Sequence, residues 1–181
     1  MALLRAFLEL ILLRKGPEDM PAGRDPVLIA LGFYLTVGLL LDRAAPVELP
    51  DGSELSAGLG FGMVLVDALV VFLFSAMLVF IVDKKQRLPQ MLTALYGALA
   101  MLGLVAWPLI ANNPDPMAAS EDGLGALELM LLALLIWNLV VLGQIYRRTL
   151  DTNAAMGVLA ALGYFIMSSL VYVSVLSWVA E

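Results

Sequence analysis

The apolar run from Leu59 to Val82 contains a single charge, Asp67. Ionisable side chains are costly in hydrocarbon and are kept there for ion or proton pathways or for pairing between helices. Sixteen residues separate Asp67 from Asp83 at the run's far end, roughly 24 Å on a helix rising 1.5 Å per residue. A hydrocarbon core is roughly 30 Å thick, so Asp67 is expected inside the outer leaflet. Three uses fit such a carboxyl: a tie to another helix through Ser168 or Ser169, an ion or proton site, or a contact to a partner protein. Glu128 lies nineteen residues from Arg147, roughly 28 Å by the same rise, where it reaches the interface and water. Asn138 comes nearest the midplane, roughly 14 Å from Arg147. Ser75, on a neighbouring run at similar depth, is its expected hydrogen-bond partner.

None of these residues forms a reaction centre. The chain has no cysteine and no histidine, which removes thiolate and imidazole chemistry and the common ligands of zinc and haem. No nucleophile is spaced with a base. Gly58, Gly60 and Gly62 lack the Lys-Ser/Thr of a phosphate loop. The sequence therefore predicts no catalytic residue, no cofactor and no metal.

The elements that hold these side chains follow from apolar length. Of 181 residues, 62% are hydrophobic and 14% charged, against roughly 25% charged in soluble domains, and mean hydropathy is +0.95. The expected architecture is an all-α membrane helix bundle in one domain, residues 1–181. Five spans are predicted, over about 27–45, 59–82, 91–111, 124–146 and 154–180. Pro46 ends the first, with Asp42 and Arg43 reaching to the headgroups. Pro108 kinks or finishes the third.

Lys and Arg distribution sets orientation. Arg5, Arg14, Lys15 and Arg24 precede span one; Lys84, Lys85 and Arg87 follow span two; Arg147 and Arg148 follow span four. Only Arg43 falls on the other side. The amino terminus is thus expected in the cytoplasm and the carboxyl terminus outside. A net charge of -6 offers no basic groove for nucleic acid.

Residues 2–15 form an amphipathic segment. Arg5 and Glu9 are i,i+4 partners, while Leu3, Leu4, Phe7, Leu10 and Ile11 cover the opposite side. Its charges interrupt and follow the apolar stretch, unlike a signal peptide. A helix in the cytoplasmic interface is expected, ended by Gly16-Pro17; a helix packed on the bundle's inner loops is the alternative. Outside, residues 46–55 suit a compact hairpin. Ser120, Glu121 and Asp122 suit the start of span four. The outer acids Glu48, Asp51, Glu54, Asp115, Glu121 and Asp122 read as a solvated surface rather than a calcium site. Gly97, Ala100 and Gly103, and Gly157, Ala161 and Gly163, permit close helix approach. Trp137 sits too deep for an interface anchor.

The five-span layout, the basic loop KKQRLPQMLTALYGALA and the turn YRRTLDTNAAMGVLAAL resemble the Yip (Ypt-interacting protein) superfamily of five-pass membrane proteins in its bacterial form, over roughly residues 20 to 180. The resemblance implies a bacterial inner membrane. Eukaryotic relatives bind small GTPases in membrane traffic, a role not carried over here because this short amphipathic amino-terminal segment resembles no such binding segment. Partners are therefore expected to be the lipid bilayer and other membrane proteins or further copies of the chain. A non-catalytic protein that organises such partners is the leading expectation. A small proton- or cation-coupled transporter or channel subunit using Asp67 is the second, and a lipid-acting enzyme the last.

Orientation is directly testable. Reporter fusions near residues 50 and 118 and at 181 should report outside, and those near 86 and 150 inside. A carboxyl terminus found inside would overturn the five-span arrangement.

Overall fold

The computed structural model describes residues 2–46, 56–112 and 125–179. The expected outer hairpin after Pro46, the acids Glu48, Asp51, Glu54, Asp115, Glu121 and Asp122, and the cap at Ser120 lie outside these residues. The described chain forms six α-helices and two short 3-10 turns, with no strand among the described residues. The helices are α1 (Ala2–Ile11), α2 (Arg24–Ala44), α3 (Ala57–Ile81), α4 (Leu88–Ala111), α5 (Ala126–Leu150) and α6 (Ala154–Val179). The last five are long and apolar enough to cross a membrane.

Helix ends differ from expectation for local reasons. α2 begins at Arg24, after Gly23 at φ 134°, with Pro26 in its first turn; there a missing N–H costs nothing. α5 continues to Leu150, so Arg147 and Arg148 occupy its last turn rather than a loop, where cations favour the negative end of the helix dipole. α4 passes Pro108 and stops three residues later, at Ala111. α1 ends at Ile11, before Gly16-Pro17.

Three helices at the basic end stop in one way. Leu13, Asp83 and Asp151 adopt left-handed backbone conformations, with φ of 59°, 56° and 50°. The next N–H in each case reaches back five residues: Arg14 to the Glu9 carbonyl at 2.8 Å, Lys84 to Val79 at 2.7 Å, Thr152 to Arg147 at 3.0 Å. These bonds satisfy carbonyls that a helix end leaves orphaned. Aspartate tolerates that conformation better than leucine.

α4 is the centre of the bundle. Met91 through Ala98 are all buried, so the helix is wrapped on every side in its first half. α1 supplies part of that wrapping. Ala6, Phe7, Leu10 and Ile11 are buried; the Phe7 ring lies over Gly97, where an added Cβ would stand 2.3 Å from it, and is stacked with Phe33 at 6.4 Å. Trp137 Nε1 donates to the Ile11 carbonyl at 3.1 Å, capping the end of α1. Leu4, Leu8 and Leu12 remain exposed, the stripe available to lipid. The first helix therefore does more than lie on a surface: its inner face is docked in the bundle. Amphipathic spacing alone does not distinguish protein from lipid as the apolar neighbour.

The other small residues mark similar approaches. A Cβ at Gly103 would meet Val37 at 2.9 Å, and one at Gly157 would meet the Gly143 carbonyl at 2.4 Å.

The Phe7–Gly97 contact predicts a coupled pair. Gly97→Leu and Phe7→Ala should each destabilise the detergent-solubilised protein, and Phe7→Ala should relieve the Gly97→Leu defect. A double-mutant cycle on thermal unfolding should show coupling of about 0.5–3 kcal/mol. Simple additivity would place α1 elsewhere.

Candidate functional site

Asp67 ties the middle of the bundle together. The Tyr34 hydroxyl of α2 donates to one carboxylate oxygen and the Ser168 hydroxyl of α6 to the other. The Tyr164 hydroxyl, also from α6, lies 3.5 Å from both. One residue on, Tyr96 of α4 donates to the Ala68 carbonyl at 2.8 Å, with its ring 5.5 Å from that of Tyr34. Four helices thus meet around one acid. Among the described residues no lysine or arginine pairs with it.

Each partner is where its helix must carry it. Tyr34 is ten residues from Arg24 and Tyr164 ten from Ala154, about 15 Å along their helices, with Ser168 about 21 Å along α6. Of the two serines expected as partners, Ser168 makes the bond. Hydroxyl donors satisfy a carboxylate where water is absent.

Asp67 also borders two cavities. One, of 320 Å³, is lined by Tyr34, Asp42, Asp67 and Ser168 among apolar side chains. Asp42 was expected at the headgroups. It lies over Gly60, near the start of α3, where an added Cβ would stand 2.4 Å from its carboxylate, while Arg43 stays exposed. The other cavity, of 410 Å³, includes Asp67, Asn138, Tyr164 and Ser169. Asn138 is therefore brought to the Asp67 region rather than to Ser75. Ser75 is fully buried beside the Tyr146 hydroxyl, and neither oxygen finds a hydrogen-bond partner of normal geometry. Cα depth misleads here, because a tyrosine side chain reaches well toward the start of its helix. Glu128 sits in the first turn of α5, folded back toward Gly125, where a negative charge suits the helix dipole.

The tyrosines are what the sequence reading missed. Tyr34, Tyr96 and Tyr164 lie mid-span, and a phenol buried in hydrocarbon requires a hydrogen-bond partner. Three of them at similar depth were the available signal.

A second polar cluster closes the basic end. Asp151 receives Lys84 Nζ and, at 2.9 Å, Arg87 Nη1. Lys84 also donates to the Leu150 carbonyl at 3.1 Å, and Arg87 to the Thr149 carbonyl at 3.0 Å, so the last carbonyls of α5 are capped from the α3–α4 connection. Arg148 pairs with Glu18 at 2.7 Å, and Gln90 Nε2 donates to the Met20 carbonyl at 3.1 Å; both fasten the amino-terminal segment. Arg14 is exposed, Lys15 pairs with Glu9 at 2.7 Å, and Lys85 lies over the Phe80 ring at 5.0 Å. The basic residues therefore do structural work at this end besides setting charge.

No protein-family model matches the chain, and neither a curated protein nor a solved structure matches it.

Arg87 and then Lys84 hold the Asp151 carboxyl down at about 2, from an ordinary 3.8. A lowered folded-state value means the clasp contributes fully above 3.8 and is lost as pH falls through about 2. Asp151→Asn should therefore lower the thermal midpoint at neutral pH, and the gap from wild type should close below that window. A gap independent of pH would assign the effect to the backbone turn instead.

Proposed function

We propose that this chain is a non-catalytic integral membrane protein of a bacterial inner membrane, amino terminus in the cytoplasm and carboxyl terminus in the periplasm, that binds or organises other membrane proteins or further copies of itself. The observation that carries this reading is the engagement of Asp67. Its oxygens are taken up by hydroxyls from α2 and α6, so the deepest acid of the bundle serves to hold helices in register. The concentration of lysine and arginine at one end supports the orientation, and the five-pass layout that resembles the bacterial Yip-type proteins supports the setting. On this reading specificity resides in the helix faces and exposed segments rather than in an interior reaction site.

A second reading, a proton- or cation-coupled transporter or channel subunit, draws on a different observation. Asp67 borders two cavities, one of which Asp42 also lines. A carboxyl reached from two cavities is the arrangement a translocated cation would use.

One pair of substitutions separates these readings. Asp67→Asn keeps a group that hydrogen-bonds to the hydroxyls of Tyr34 and Ser168 but cannot titrate. Asp67→Leu leaves those hydroxyls stranded, at a cost of about 1–3 kcal/mol. We expect Asp67→Asn to retain abundance, thermal stability and the set of membrane proteins recovered on purification in mild detergent, and Asp67→Leu to lose stability. Proteoliposomes that pass protons or cations with wild type but not with Asp67→Asn, at equal abundance, would overturn the organising role in favour of transport.

A further inference from the structure

A cavity of 580 Å³ opens at the basic end between the start of α4, the last turns of α5 and the 3-10 turn at Pro17–Asp19. Its charge is uneven. Arg87, Arg147 and Arg148 line it, against Glu18 and Asp151. Glu18 is paired with Arg148, and Asp151 with Lys84 and Arg87. Arg147 makes no ion pair among the described residues, so its charge is left over.

Donors also outnumber acceptors. Three guanidiniums bring roughly fifteen N–H donors, at five each. Arg87 engages its partners through Nη1 alone, leaving the rest of its fork unengaged. The Gln144 carbonyl oxygen serves Arg147 Nη1 at 3.3 Å, or, with its amide turned over, Arg148 Nε and Nη2 at 2.9 and 3.2 Å. It cannot serve both. Several donors, one unpaired positive charge and a shortage of acceptors describe a place for an oxyanion bearing several oxygens.

We propose that this cavity binds a phosphate group, with Arg147 supplying the uncompensated charge and Arg87 and Arg148 the remaining guanidinium donors. Its position favours a phosphate carried by an anionic membrane lipid. The walls lie where α4 and α5 leave the apolar layer, at the end bearing most of the lysine and arginine, and basic pockets between helices at that level take lipid headgroups. A free phosphate offers the same chemistry from the aqueous side. Arg148 and Glu18 bind the turn at Pro17–Asp19 to α5 across this cavity, so an occupant would also steady the segment that joins α1 to α2.

The test uses the full chain. After release from nanodiscs of phosphatidylglycerol and phosphatidylcholine in equal parts, native mass spectrometry should show phosphatidylglycerol retained in preference. Arg147→Gln should reduce that retention about fivefold, as expected for one arginine near a membrane surface. Lys85→Gln, which removes a charge at the same end but outside the cavity, should leave it unchanged. In lipid-free detergent, inorganic phosphate alone should leave the unfolding temperature unmoved. A phosphate-induced rise in wild type but not in Arg147→Gln would keep the site and make free phosphate its occupant. Equal losses in Lys85→Gln and Arg147→Gln would reduce the effect to diffuse surface charge and overturn the proposal. So would the absence of both lipid preference and phosphate response.

Discussion

Inside a bilayer a polar group must find its partner within the protein, because no water is there to take the bond. Asp67 turns that constraint into architecture. Its two oxygens require donors, and the donors sit on α2 and α6, so meeting the need of one side chain sets the relative height of three helices. Tyr96 adds the fourth by reaching the adjacent carbonyl. Hydrophobic burial cannot do this work in lipid, since exchanging lipid contacts for apolar side chains gains little. The hydroxyl ring supplies direction and register where apolar packing supplies neither.

The basic end answers the same constraint at helix termini. The last carbonyls of α3 and α5 lack helical partners, and left-handed Asp83 and Asp151 fold the backbone back to serve some of them. Asp151 then gathers Lys84 and Arg87, which cap more of the α5 carbonyls. Residues expected to set orientation by their charge thus also close the ends of helices. The two roles coincide because the headgroup level is where both unpaired carbonyls and cations are best accommodated.

The fold was legible in the sequence wherever apolar length alone decides it. Five runs gave five long helices, and the small residues at Gly97, Gly103 and Gly157 fell at close contacts. Ser168 was also within reach, because Asp67 needed a donor at similar depth on another helix. Pairings that depend on how far a side chain extends were not legible. Asn138 and Ser75 have similar Cα heights but do not meet, while Tyr146 reaches Ser75 through the length of its phenol. The docking of α1 was hidden for another reason. Phe7 and Leu10 are apolar whether they face lipid or α4, so only the empty space above Gly97 decides between them.

Burial is distributed unevenly, and this shows what each contact must accomplish. Along the apolar stretch of α4, 39% of residues are buried, against 11% in both α2 and α6. α4 is held from all sides by α1, α2, α3 and α5, and no single contact positions it. α6 packs along α5 and, to a lesser extent, α3. Gly157 meets Gly143 near its start, Gly163 approaches Phe74, and Tyr164 and Ser168 turn to Asp67. Beyond Ser168, Leu170, Val173 and Trp178 are 64%, 62% and 76% exposed. Since lipid and protein are nearly equivalent neighbours for such side chains, apolar contacts leave α6 free to slide or rotate against the bundle. The glycine approach fixes its distance from α5, and the bonds to Asp67 fix its rotation and height. A single intramembrane acid therefore has a large structural effect on a helix with little buried surface.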